Sequence, residues 1–175
     1  MNKIFLIGMM GSWKSTVGRK LAKELNVEFV DIDDCIEEIE KMKVSEIFNE
    51  FGEKYFRNIE SKIFMDKTSN SANLILSTGG GIILDATNRK ILREKGTTFL
   101  LEASTNTLAD RIKNTDKRPL LMKSNNINIK LEEIWNERKK FYKNSAKYII
   151  STDNISPEEV IKNIKKKLEF PFAKN

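Results

Sequence analysis

The residues of this 175-residue chain whose types and spacing most directly suggest chemistry lie between Gly8 and Thr16, GMMGSWKST. A glycine, four residues, one further position and then Lys14-Ser15 is the register of a loop whose backbone N–H groups, with a helix N-terminus behind them, cradle a polyphosphate. In such a loop Gly11, Ser12, Trp13, Lys14, Ser15 and Thr16 surround the phosphates. The Lys14 ammonium reaches the β- and γ-phosphates and the Ser15 hydroxyl ligates Mg²⁺. The alternative is a strand-to-helix turn with an incidental lysine.

Trp13 departs from that pattern, because the position before the lysine is ordinarily glycine. Glycine permits unusual φ/ψ values and lets the backbone approach a phosphate, whereas tryptophan brings a Cβ and a large indole. A non-glycine residue in a sparsely populated backbone region costs about 1–3 kcal/mol, roughly a tenfold to hundredfold loss in an equilibrium constant. The N–H at position 13 survives the substitution. The anion-binding geometry therefore persists if the indole points to solvent or toward the base side of a nucleotide.

Three other groups invite attention. Asp31-Ile32-Asp33-Asp34 closes a predicted strand at its C-terminal end, where open parallel sheets bind their ligands, although the same carboxylates are placed to cap the helix that follows. Arg57 and Glu60 are three residues apart on a predicted helix, which by itself is no more than a weak surface ion pair. Gly79-Gly80-Gly81 directly follows another strand, either as backbone that approaches a ligand closely or as a tight turn. The chain has no histidine and one cysteine, Cys35. His general bases, Ser-His-Asp triads, imidazole metal sites and disulfide frameworks are excluded together. Thirty-one Lys and Arg against 25 Asp and Glu leave +6, a mild bias toward anionic ligands. The lysine-rich stretch 162–167 reads as a solvated helix face, so nucleic acid is not needed to explain the charge.

Positioning these groups requires alternating strands and helices. Lys3 to Gly8 is a short apolar run of the kind buried on both faces of a parallel sheet. Lys14 to Leu25 carries a helical stripe at Val17, Leu21, Ala22 and Leu25. Further strands are predicted at Val27–Val30, Asn73–Ser77, Thr97–Leu101 and Lys147–Ser151. Helices are predicted through Ile36, Ile39 and Met42, at Val44–Phe51 and Glu53–Lys67 with Gly52 breaking the pair, and at Thr87–Lys95, Thr105–Ile112 and Ile129–Tyr142. A last helix starts at Ser156-Pro157 and runs to Leu168. Asn114 to Asn128 has little periodicity and reads as a mobile surface loop or lid, and 170–175 as a frayed tail. The pattern predicts a single α/β domain over 1–175 with a parallel sheet and a lid at about 114–128. No run approaches the roughly 18 apolar residues of a membrane span, and no leader is apparent, so a cytoplasmic protein is expected.

Several motifs agree with one family. Gly8 to Thr16, Asp31 and Asp33 behind Phe29, Gly52-Glu53 to Phe56-Arg57 with Glu60, Thr78 to Gly81, Arg118-Pro119-Leu120-Leu121, and Arg138 followed by Tyr142 and Ala146 occur in the order and spacing of shikimate kinases. Over residues 3–168 the chain resembles that family. The resemblance implies a three-layer α/β/α P-loop kinase fold, related to nucleoside monophosphate kinases, with a five-stranded parallel sheet in the order 2-3-1-4-5. It implies transfer of the γ-phosphoryl of ATP to the 3-hydroxyl of shikimate on the route to chorismate and the aromatic amino acids, with ATP and Mg²⁺ as cofactors. By the same resemblance Asp33, Arg57, Gly79, Gly80, Gly81 and Arg138 contact shikimate, Asp31 joins Ser15 at Mg²⁺, Arg118 is a lid arginine facing the phosphates, and Arg111 packs on adenine. Lys14, Asp33 and Arg118 are then the catalytic residues.

That assignment is chemically coherent. Arg57 and Arg138 can fork onto a carboxylate, Asp33 can take the proton of an attacking hydroxyl, and Lys14, Mg²⁺ and Arg118 can stabilise charge on a phosphoryl group in transit. The expected partner is the small molecule shikimate, with no nucleic acid and no membrane, and the expected state is a monomer. Two competing readings are a P-loop module whose catalysis is weakened by Trp13 and a kinase for another hydroxy acid such as gluconate.

Overall fold

The computed structural model describes residues 3–69, 73–113 and 126–168. Among them five strands alternate with helices: β1 (Lys3–Ile7), β2 (Glu28–Asp31), β3 (Leu74–Ser77), β4 (Thr97–Glu102) and β5 (Tyr148–Ser151). All pair in parallel, in the order β2-β3-β1-β4-β5. This is the expected topology, and its cause is visible in β1. Successive side chains leave a strand on opposite faces, and here both faces are covered. Ile4 and Leu6 pack with Val17, Leu21, Val160 and Ile164 on one side, and Phe5 and Ile7 pack with Phe64, Leu92 and Ile134 on the other. A strand enclosed in this way has to be apolar at every position.

The first side is built by α1 (Lys14–Leu25) and α7 (Pro157–Leu168). The second is covered by α2 (Ile32–Glu40), α3 (Val44–Ser69), α4 (Ala86–Glu94), α5 (Thr105–Ile112) and α6 (Ile127–Ser145). Each start has a local reason. Asp31, Asp85, Ser104 and Asn126 occupy N-cap positions, and their side chains accept hydrogen bonds from backbone N–H groups of the first turn. Several element boundaries differ by a few residues from the sequence expectation, and two of them have a visible local cause. The helix expected through Met42 ends at Glu40 because Lys41 turns left-handed (φ 55°), and α6 begins at Ile127 rather than Ile129 because the Asn126 carbonyl caps Asn128 and Ile129. The last two residues of the expected lid are therefore helical.

Gly52 keeps α3 from being straight. Its φ of 80° and ψ of 170° lie where only glycine is comfortable, and the break lets Phe48 and Phe56 face each other with ring centroids 4.6 Å apart. Nothing lies within 4 Å of a Cβ built at this position. Replacing Gly52 with Ala isolates backbone strain from crowding: we expect unfolding titrations to show a loss of about 1–3 kcal/mol, and an unchanged midpoint would mean that the kink relaxes freely.

Candidate active site

Both halves of the site gather at the C-terminal ends of β1, β2 and β3. Between β1 and α1 the chain turns through Gly8 (φ 145°), Gly11 (φ 78°) and Trp13 (φ 69°, ψ 17°). Trp13 is the N-cap of α1 and offers no side-chain cap, so the helix start depends on backbone alone. Ser12 is fully buried and its Oγ has no hydrogen-bond partner. Lys14 is buried and donates from Nζ to the Met9 carbonyl at 2.9 Å, lying across its own loop. Ser15 donates from Oγ to Asp31 Oδ2 at 2.6 Å, and the other Asp31 oxygen accepts from the Asp33 N–H at 3.1 Å. Asp31 thus caps α2 and meets the loop serine at once; capping and the site share one carboxylate.

A cleft of about 380 Å³ opens over these groups, lined among others by Trp13, Lys14, Ser15, Thr16, Asp31 and Arg111. A second, smaller cavity adjoins it, lined by Val44, Phe48, Phe56, Arg57, Gly79, Gly81 and Arg138. Met10, Asp33 and Gly80 line both. The structure thus brings the expected site residues it describes to these two cavities, except Ser12, which is fully buried and lines neither; Arg118 and most of the expected lid, 114–125, lie outside the described residues.

The smaller cavity is dominated by an ion pair between the half-buried Arg57 and the buried Glu60. Arg57 donates from one terminal nitrogen to Glu60 at 2.7 Å and from the other to Glu53 at 3.0 Å. The guanidinium also sits 5.1 Å from the Phe56 ring centroid. Glu60 is 1% exposed, which overturns the view of this i, i+3 pair as a surface feature. Burial pushes the Glu60 carboxyl up to about 7, against the charge of Arg57, which lowers it. Burial alone would depress the Arg57 guanidinium, but Glu60 and Glu53 outweigh it and hold it above its ordinary value. Arg138 is 4% exposed, reaches the Gly80 carbonyl at 3.4 Å, and keeps a buried Nε with no partner. Tyr142, fully buried, donates its hydroxyl to the same carbonyl, and burial raises its phenol so that it stays a donor.

The glycines have a steric reason. A Cβ on Gly81 would overlap the Arg57 guanidinium, and one on Gly79 would meet Glu60 and Asp33. Sequence reasoning marked the triplet but missed what crowds it. It also left Glu60 as a mere partner, and missed the Tyr142 hydroxyl and Thr152, which holds Arg111 through its hydroxyl at 2.8 Å and its carbonyl at 2.6 Å. Cys35 and Trp135 pack against the core.

A family model described as shikimate kinase matches residues 10–169. The chain belongs to the shikimate kinase family. The shikimate kinase of Sulfurihydrogenibium sp. is 40% identical over 169 residues, covering 97% of this chain and 99% of that protein. That of Persephonella marina is 42% identical over 164 residues, covering 94% and 97%. Among solved structures, shikimate kinase from Acinetobacter baumannii in complex with shikimate superposes with a TM-score of 0.91 at 34% identity, covering 96% of this chain and 93% of that one. Deoxyadenosine kinase from M. mycoides matches at a TM-score of 0.63, over 96% of this chain and 100% of that one, but at 18% identity, which speaks to the shared fold alone. What sets this shikimate kinase family member apart from the motif is its Trp13.

Two outcomes follow from the geometry of the smaller cavity. Gly81→Ala should weaken shikimate binding by about tenfold or more in calorimetry by displacing Arg57, with a correctly folded protein by circular dichroism; unchanged affinity would mean the guanidinium has room to move. Because the carboxyl of Glu60 is raised by folding, the folded state holds its proton more tightly than the unfolded chain. Its contribution to stability should be fully present below about 4.5, fall as pH rises toward about 7, and be constant above. Urea titrations of wild type and Glu60→Gln across that window measure it: the difference between the two curves slopes only if Glu60 titrates there.

Proposed function

We propose that this chain is an ATP-dependent shikimate kinase that moves the γ-phosphoryl group of ATP to the 3-hydroxyl of shikimate. The observation carrying this reading is the contiguity of two unlike compartments with Asp33 lining both. One offers loop backbone and the Lys14 ammonium at a helix N-terminus, suited to a triphosphate. The other offers two guanidiniums, a half-buried Arg57 and a buried Arg138, suited to a carboxylate. Shikimate is a carboxylate with three hydroxyls, and held by that carboxylate it can present a hydroxyl across the junction.

In this reading Arg57 and Arg138 clamp the carboxylate, Glu60 and Glu53 fix the plane of Arg57, and the glycine triplet leaves room for the ring. The 3-hydroxyl oxygen forms a bond to the γ-phosphorus while the bond from that phosphorus to the bridging oxygen breaks. ADP leaves with the electron pair and the hydroxyl proton passes to Asp33. Little covalent work falls to the protein, so position and charge decide the rate. Lys14 exchanges the Met9 carbonyl for phosphate oxygens. Arg118 completes the cationic surround, brought over the phosphates by the segment near 114–128 of this single domain.

The donor set fits Mg²⁺. Ser15 Oγ and Asp31 Oδ2 are neighbouring hard oxygen ligands, and among the described residues no larger cluster of Asp, Glu, His or Cys assembles. That suits an ion that takes its other ligands from phosphates and water. Bound there, Mg²⁺ would neutralise charge on the phosphate oxygens. Every residue in the reading comes from one chain, so a monomer suffices, and ATP as donor fits a cytoplasmic setting. No helix among the described residues is long and apolar enough to cross a membrane.

The test is shikimate-dependent release of ADP from Mg-ATP, with ³¹P NMR identifying a phosphomonoester product. Arg57→Lys should raise the KM for shikimate by about tenfold to a hundredfold and leave that for ATP nearly unchanged, while Asp33→Asn should lower kcat by roughly 10²–10⁴. Faster turnover of gluconate than of shikimate would contradict the assignment.

A further inference from the structure

The contact that neither the loop pattern nor the proposed chemistry explains is that between Trp13 and Arg111. The Arg111 guanidinium carbon lies 3.3 Å from the centroid of the Trp13 ring, so the two planar groups are in van der Waals contact. The guanidinium cannot readily turn away. Its edges donate to the Thr152 hydroxyl at 2.8 Å, the Thr152 carbonyl at 2.6 Å and the Gly11 carbonyl at 3.3 Å. The indole in turn packs against the buried cluster of β1, α1 and α7. Both residues line the same cleft as Lys14, Ser15 and Thr16.

A planar cation at the edge of a phosphate cleft is a natural seat for a flat aromatic base, through stacking and cation–π attraction. In this chain one face of that seat already carries an aromatic ring. The backbone of Trp13 is left-handed, which a bulky residue rarely adopts, so the stack with Arg111 helps hold the residue there. We propose that the Trp13 indole is a built-in competitor for the nucleotide base: it occupies one face of the Arg111 guanidinium at the cleft, so that the base adds little to the affinity delivered by the phosphates. Trp13 is then the residue that sets nucleotide affinity and base selectivity in this chain. The inference rests on the reading of the larger cleft as a triphosphate site.

The test compares ATP with inorganic tripolyphosphate, both with Mg²⁺, by calorimetry on wild type, Trp13→Ala and Trp13→Gly. Alanine removes the indole but keeps a Cβ on the left-handed backbone; glycine removes both. Wild type should bind the two ligands with affinities within about threefold of each other. Both variants should bind ATP about tenfold more tightly than wild type, with a change of less than about twofold for tripolyphosphate. Retained shikimate binding in each variant shows that it is folded. The proposal is overturned if wild type already strongly prefers ATP and Trp13→Ala loses that preference, since the indole is then a platform and not a competitor. It is overturned equally if Trp13→Gly tightens both ligands alike while Trp13→Ala changes neither, since backbone strain is then the cause. If no form of the protein binds either triphosphate while all bind shikimate, the triphosphate reading itself falls and takes this inference with it.

Discussion

The structure depends on the short length of backbone that joins the first strand to the first helix and lines the larger cleft. Between Ile7 and Lys14 the chain leaves a strand enclosed on both faces and enters a helix with no side-chain cap, passing through three residues with positive φ. An uncapped helix N-terminus carries unsatisfied donors and the positive end of the helix dipole. An anion satisfies both. The sheet order puts this turn beside the ends of β3 and β2, so the Ser15 hydroxyl meets Asp31 and the phosphate end of the cleft is fixed by the same strand register that builds the core.

The second compartment answers a different constraint: positive charge has to be kept dry and aimed. Arg57 is held between Glu60 and Glu53 and against Phe56, while Arg138 rests near the Gly80 carbonyl with one nitrogen unspent. A half-buried guanidinium with carboxylate partners is stable enough to wait and still has donors left for a ligand. Burial raises the Glu60 carboxyl beside it, so the charge of the compartment depends on the Glu60 proton.

Much of this was legible from residue order. Enclosed strands read as unbroken apolar runs because both faces are covered, and Gly52 marked a real break because its backbone conformation suits almost nothing else. The loop, the acidic pair and the glycine triplet were marked by spacing, and the two arginines by the family resemblance. What escaped was whatever tertiary packing decides. An Arg and a Glu three apart look the same on a wet helix face as in a cavity, and what distinguishes this pair is the close approach of Gly79 to Glu60 and of Gly81 to Arg57. Thr152 and Tyr142 act through contacts with Arg111 and Gly80 across long sequence separations, which no local pattern encodes. The start of α6 hid inside a polar run because its signal is one capping asparagine. The direction of the Trp13 indole was likewise a question only α5 could answer.

The most direct measurement is a crystal structure of the protein with a non-hydrolysable ATP analogue, Mg²⁺ and shikimate bound together. We expect the triphosphate against the N-terminus of α1, the shikimate carboxylate within roughly 2.7–2.9 Å of Arg57 and Arg138 nitrogens, and a ring hydroxyl between Asp33 and the γ-phosphorus. A carboxylate seated away from both arginines, or a triphosphate bound anywhere but at that helix end, would contradict this arrangement.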